Sequence, residues 1–300
     1  MQLKPLLLSD ISIIDKYLCS RKETFLSTYN FVPIYVSLAL YKVLWQVIDQ
    51  HLYIFLKDKT GIFLYLPPLG KSLNKKAVKI AFDIMLKYNQ NKQICRIENV
   101  LAEDVPFFED IGYCCRKAFD EYVYNRWELA SLRGGKFKHK RANVNYFTKH
   151  YNAVYKEFEP KDKKACLWLY EQWSQQRLSV YRSNIYQGLL QDSKRMFSLL
   201  LNKLEALPVL GRVVKIDEKI CACSFGYPLS DDTFCIFFEI ADNSLKGITN
   251  FIFQKFCQEL VSFQWINCMD DSGLENIKRV KLSYHPTKLL SSFTVALQNE

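Results

Sequence analysis

Apolar positions along the chain recur at spacings that switch between two and three-to-four, and the order of those switches predicts the elements. Residues 2–8 alternate loosely and read as a strand, ahead of the capping pair Ser9-Asp10 and a helix built on Ile11, Ile13, Ile14, Tyr17 and Leu18. A second helical run is expected over 36–48. The apolar stretch 31–48, interrupted by Pro33, Lys42 and Gln46, reads as a buried helix rather than a membrane span. Two strand-like segments, 53–56 and 61–66, flank the turn residues Lys57 to Thr60 as a hairpin. Pro67-Pro68-Leu69-Gly70-Lys71-Ser72 then breaks the pattern before a helical stripe over 75–88. A strand over 93–100, a short helix over 105–111 and strands over 113–119 and 120–124 follow.

The second half restates this plan. A strand over 153–158 leads through Glu159-Pro160-Lys161-Asp162 to a helix over 163–177, and a hairpin joins 210–216 to 220–227 across Asp217-Glu218. A strand over 233–240, a loop 241–247, a helix 248–262, a strand 263–268, a helix 274–282 and a last strand 292–297 complete it. The loop at Leu69-Gly70 corresponds to that at Lys246-Gly247, an offset of about 170 residues, as a duplicated unit would give. The expected class is α+β, with mixed sheets flanked by helices. A unit of this kind resembles the acyl-CoA N-acyltransferase (GNAT) fold, which implies two tandem GNAT-like domains, 1–132 and 152–300, joined by a basic helix at 133–151. It also implies an acyl-CoA site in which Gly70 and Gly247 would cradle phosphate, although each loop has a single glycine and also reads as a plain helix start.

Composition narrows the picture further. Aromatics at 15% with ten Gly and nine Pro exclude a disordered or fibrous chain. Forty-one Lys and Arg against thirty-one Asp and Glu give +10, which suits an anionic partner such as nucleic acid, acidic lipid or a phosphate-bearing cofactor. Ten cysteines are scattered without paired CxxC spacing, and four histidines show no ligand pattern, so no metal site is expected. Cysteines inside apolar runs read as free thiols of a reducing compartment, and the start of the chain lacks the pattern of a signal peptide, so a cytoplasmic protein without stable membrane insertion is expected.

The charge is concentrated. Arg133, Lys136, Lys138, Lys140, Arg141 and Lys149 lie between 133 and 151 with no acidic residue among them, while Phe137, Val144, Phe147 and Tyr151 mark one apolar helix face. Such a helix can hold a phosphate-rich ligand or be a solvated face.

Three stretches carry a specific resemblance. Tyr122-Val123-Tyr124 precedes Gly135-Lys136-Phe137-Lys138-His139-Lys140-Arg141 and Asn143. Ile266-Asn267 precedes Asp270-Asp271-Ser272-Gly273, and Lys281-Leu282-Ser283-Tyr284-His285-Pro286 follows. Together with Pro67-Pro68-Leu69-Gly70 these are similar to soluble bacterial proteins related to the C-terminal catalytic domain of phosphatidylglycerol lysyltransferase. The chain departs from that pattern at Cys268 and Met269, where the family has Arg and Glu. Lys278 with Arg279 stands where the family has a helix Arg.

The resemblance implies transfer of an aminoacyl group from aminoacyl-tRNA to an amine or hydroxyl of a small-molecule, lipid or peptide acceptor, in a cleft between the two domains and with no cofactor. Because the ester is already activated, the site needs an aligned nucleophile, a proton acceptor and an oxyanion partner. Lys136, His139, Lys140, Arg141 and Asn143, with Asn267, Lys278, Lys281 and Tyr284, are the candidate substrate-binding residues. Glu239, Asp270, Asp271 and His285 are the candidate catalytic ones. Asp270 also reads as a helix cap, His285 as a turn residue, and Tyr122 and Tyr124 as sheet packing. The alternatives are an acyl-CoA-dependent N-acyltransferase and a non-catalytic module on the same fold.

Overall fold

The computed structural model describes residues 3–19, 26–181 and 183–298. In chain order the first half runs β1 (Lys4–Pro5), α1 (Ile11–Leu18), α2 (Phe31–Val36), β2 (Lys42–Ile48), β3 (His51–Lys57), β4 (Ile62–Leu64), α3 (Lys75–Tyr88), β5 (Arg96–Leu101), α4 (Val105–Asp110) and β6 (Tyr113–Asn125). Helices α5 (Arg126–Ser131) and α6 (Lys138–His150) follow. The second half then runs β7 (Ala153–Glu157), α7 (Lys163–Val180), α8 (Asn184–Lys203), β8 (Leu210–Ile216), β9 (Lys219–Pro228), β10 (Thr233–Ala241), α9 (Ile248–Glu259), β11 (Trp265–Asn267), α10 (Glu275–Leu282) and β12 (Lys288–Leu297). The two halves match element by element: a strand, two helices, a three-stranded meander, a helix, a strand, a helix and a closing strand.

The turns repeat as well. Asp49-Gln50 joins β2 to β3 and Asp217-Glu218 joins β8 to β9, and all four residues are left-handed, with φ of 47°, 63°, 49° and 62°. Two consecutive residues at positive φ define the tight turn whose twist matches its flanking strands. Because neither turn carries glycine, the signal in sequence is weak.

The chain forms two compact units. The first comprises Met1–Glu121, Asp270–Leu274 and Leu289–Glu300, and the second comprises Tyr122–Met269 and Glu275–Lys288. The chain thus enters the second unit inside strand β6, and β12, the closing strand of the second half, pairs with β5 in the first unit. Helix α6 lies wholly within the second unit rather than connecting two domains divided at 132 and 152. A boundary in mid-strand leaves no linker composition to read.

In the first unit β2, β3 and β4 form an antiparallel meander, and α3 crosses from β4 to the parallel β5. Helix α3 buries Ala77, Val78, Ala81, Phe82 and Met85, while Ile80 and Ile84 of the stripe its spacing predicts are half-buried. Three expectations fail here. Residues 36–48 are not one helix: α2 ends at Val36, and β2 pairs along its whole length with β3. The apolar run suited both periods, and the β-branched and aromatic residues Val43, Trp45 and Val47 belong to the strand. The strand expected over 2–8 is only Lys4–Pro5, with Gln2 outside the described residues. Asp10 does not cap α1; its Oδ2 accepts from the Leu7 amide and the Trp45 indole.

In the second unit the strand order is β6-β11-β10-β9-β8-β7. Helix α9 crosses from β10 to the parallel β11 and buries Ile248, Phe251, Ile252, Phe253, Phe256 and Cys257. Helix α8, to which the sequence reading assigned no element, buries Tyr186, Leu190, Phe197, Leu200 and Leu201.

Candidate functional site

The second unit contains an opening at strand level. Strands β10 and β11 pair only over Thr233–Cys235 and Trp265–Asn267, while β10 continues to Ala241 with β9 as its partner. A bulge between Ile236 and Phe238 reorients the part of β10 that has lost its parallel neighbour. Phe237, Phe238 and Glu239 are consequently half-exposed in the middle of a central strand. Across the pair, Glu239 opposes Ser224 on the face that carries Ala222 and Ala241, which pack against α9.

Glu239 is the unusual group here. Its Oε2 is closed off from solvent and has no hydrogen-bond partner among the described residues, and neither has the Oγ of Ser224 opposite. Burial without a compensating donor pushes the Glu239 carboxyl up to about 8. Burial, and then the Glu239 charge, raise the Tyr284 phenol above its ordinary range. Loss of water around Cys268 pushes its thiol up to about 12, partly offset by Lys281 and reinforced by Glu239.

A polar relay leads to Tyr284, the phenol on which the Glu239 charge acts. The Asn143 side-chain amide on α6 donates to Asn250 Oδ1 on α9 at 2.9 Å, and Asn250 donates to the Tyr284 hydroxyl at 2.5 Å. Lys140, one helical turn before Asn143 on the same side, places its Nζ 3.9 Å above the Tyr284 ring and donates to Ser283 Oγ at 2.7 Å. Burial lowers the Lys140 pKa. Lys281 donates to the carbonyls of Cys268 and Met269, and the Tyr124 hydroxyl donates to the Lys281 carbonyl at 2.9 Å. Lys281 and Tyr124 therefore fix the chain as it leaves β11.

The structure gathers Lys140, Asn143 and Asn250 at Tyr284, and holds Lys281 and the fully buried Asn267 where the chain leaves β11, the Asn267 Oδ1 accepting from the Met269 amide; the Glu239 charge acts on Tyr284 and Cys268 of this group. Other expected residues have different surroundings. Lys136 is paired with Glu128 at 2.9 Å, and Arg141 donates to the carbonyls of Leu132 and Gly134. His139 and Lys278 are exposed. His285 occupies a left-handed turn at φ 55° with its ring edge-on to Phe137. Asp270 and Asp271 belong to the first unit, where they accept from the amides of Ser272 and Gly273. Asn250 and Ser224 gave no signal in the sequence; only the positions of α9 and β9 under the bulge single them out.

The two glycines have packing reasons for being glycine. Gly247 precedes α9 at φ 90°, and a Cβ there would sit 2.2 Å from the Asn143 carbonyl oxygen. A Cβ on Gly70 would sit 2.7 Å from the His51 ring. At each helix start an amide is already engaged within the chain. Asn74 Oδ1 takes the Ala77 amide at the start of α3, while Asp242 puts a carboxylate in the loop before α9 and the Leu245 carbonyl takes the Ile248 amide.

Two tandem GNAT-like units, with the candidate site in the splay of the second, define the structural class. The chain belongs to the phosphatidylglycerol lysyltransferase C-terminal family, which it matches over residues 30–296. That membership places it among transferases of acyl and aminoacyl groups. A conserved protein of unknown function from Bacteroides thetaiotaomicron superposes with a TM-score of 0.88 at 23% identity, covering 99% of this chain and 100% of the other. L-PGS from Bacillus licheniformis superposes at 0.64 with 15% identity over 96% and 92% of the two chains. A tandem GNAT protein from the clavulanic acid biosynthesis pathway gives 0.56 at 9% identity, covering 100% and 99%. No curated protein matches the sequence. Among the described residues no helix is long and apolar enough to cross a membrane.

Proposed function

We propose that this protein moves an aminoacyl group from aminoacyl-tRNA to an amine or hydroxyl acceptor, and that the chemistry takes place at Glu239 in the second unit. The observation that carries the reading is the unpartnered Oε2 of Glu239, held in the β10 and β11 splay with its carboxyl titrating near neutrality. A general base is most effective when its pKa lies near the working pH. The acceptor nucleophile attacks the ester carbonyl carbon while Glu239 takes its proton. The tetrahedral intermediate then collapses by breaking the bond to the ribose oxygen, which receives that proton as it leaves. Lys140 supplies positive charge beside the relay, and its aromatic seat on Tyr284 holds it in place.

The donor is what separates this reading from acyl-CoA-dependent transfer, for which the two glycine loops offer little support. The test measures loss of labelled amino acid from bulk aminoacyl-tRNA in the presence of hydroxylamine as a generic nucleophile, with and without protein, beside turnover of acetyl-CoA. Acceleration that disappears in Glu239→Gln is expected. Acetyl-CoA turnover without any effect on aminoacyl-tRNA would replace this reading with the coenzyme A one.

A further inference from the structure

The outer surface around α5 and α6 carries two aromatic and cation stacks, one exposed and one half-buried, that the candidate site does not use. Trp127, in the first turn of α5, is 52% exposed, and the Arg133 guanidinium lies 5.4 Å from its ring centroid. Toward the end of α6, Tyr146 and His150 stack at 3.9 Å with 17° between their planes, and Lys246 Nζ lies 4.6 Å from the Tyr146 ring. Between these stacks runs helix α6, whose 13 residues span roughly 20 Å. Its exposed face presents Lys138 and Lys149, and no acidic side chain occurs between Glu128 and Glu157.

An exposed tryptophan alone would mean little. An indole under a guanidinium, where the neighbouring Glu128 carboxylate is already paired with Lys136, suits a base that slides between ring and cation while the lysines meet its phosphates. The geometry points to a docking surface for single-stranded RNA, with unpaired bases stacked at Trp127 and at Tyr146 and the backbone following the face of α6. A duplex presents phosphates but no free base faces, so the aromatic stacks discriminate between the two. This inference rests on aminoacyl-tRNA as donor and deepens it by assigning the part of the donor that is gripped outside the reaction site, its unpaired end.

The experiment follows fluorescence anisotropy of a short, unstructured, labelled RNA and of the matched blunt duplex with the full chain at low salt. Tighter binding of the single strand is expected. Trp127→Ala should weaken it about tenfold, within the range for loss of one stacked base, and Trp127→Phe should keep most of the affinity. Tyr146→Ala should weaken it independently, with circular dichroism confirming that each variant is folded. Equal binding of duplex and single strand, absence of binding at low salt, or unchanged affinity in Trp127→Ala would each overturn the assignment. Aminoacyl transfer that proceeds normally in Trp127→Ala would remove this surface and leave the proposed function standing. RNA binding that depends on Trp127, without any transfer, would do the reverse.

Discussion

At the scale of a residue, Glu239 is pulled in two directions by one physical fact. Its carboxylate lacks a donor, so the protonated form is favoured and the pKa stands near 8 rather than the ordinary 4.5. Below about 4.5 the group is protonated in folded and unfolded chains alike. As pH rises from there, the unfolded chain releases a proton that the native one keeps, and stability falls until the native group also ionises near 8. The loss should be on the order of 5 kcal/mol. Transfer, in contrast, needs the ionised base, so the single-turnover rate should climb through pH 8 and level off. Glu239→Gln should flatten both profiles: urea melts at pH 5 and pH 9 should differ less than in wild type, and transfer should drop by about 10² to 10⁴. A variant that retains the rising rate would show that another group titrates.

At the scale of elements, the close approach of α6 and α9 is what brings Lys140 and Asn143 to Asn250 and Tyr284. Gly247 permits that approach. Gly112 has the same φ of 90° with nothing within 4 Å of a Cβ, whereas a Cβ on Gly247 meets the Asn143 carbonyl at 2.2 Å. The pair separates backbone strain from contact. Gly112→Ala should cost about 1–2 kcal/mol in denaturant melts, and Gly247→Ala a further ~1–3 kcal/mol because the helices must part. Equal costs would mean that α6 yields freely and that the helix contact does not set the relay. This contact was hidden in sequence, where a lone glycine ahead of a helix reads the same whether it faces a phosphate or a neighbouring backbone. Helices α1, α3 and α9 were legible because their apolar stripes keep one period. Strand β2 was not, since its run fits two periods. Asn250 was not, since an amide on a half-apolar helix carries no pattern.

At the scale of the whole molecule the question is what the net charge of +10 does. Much of the basicity of the stretch 133–151 is already committed: Lys136 to Glu128, Arg141 to two backbone carbonyls, and Lys140 to Ser283 and the Tyr284 ring. Lys138 and Lys149 are exposed on the outer face of α6. If RNA phosphates lie along that face, these two set the salt dependence of binding and the committed cations contribute little to it. For a single strand each lost phosphate contact lowers the slope of log affinity against log salt by about 0.7. Lys138→Gln with Lys149→Gln should therefore reduce that slope by about 1.4 and weaken binding without regard to RNA sequence. Lys136→Gln should leave the slope nearly unchanged, because its charge already faces Glu128. Filter binding of aminoacyl-tRNA across a salt series, run for wild type and both variants, measures the difference. A slope that falls as much in Lys136→Gln as in the double variant would mean that the field of the whole basic stretch attracts the RNA rather than particular contacts on α6.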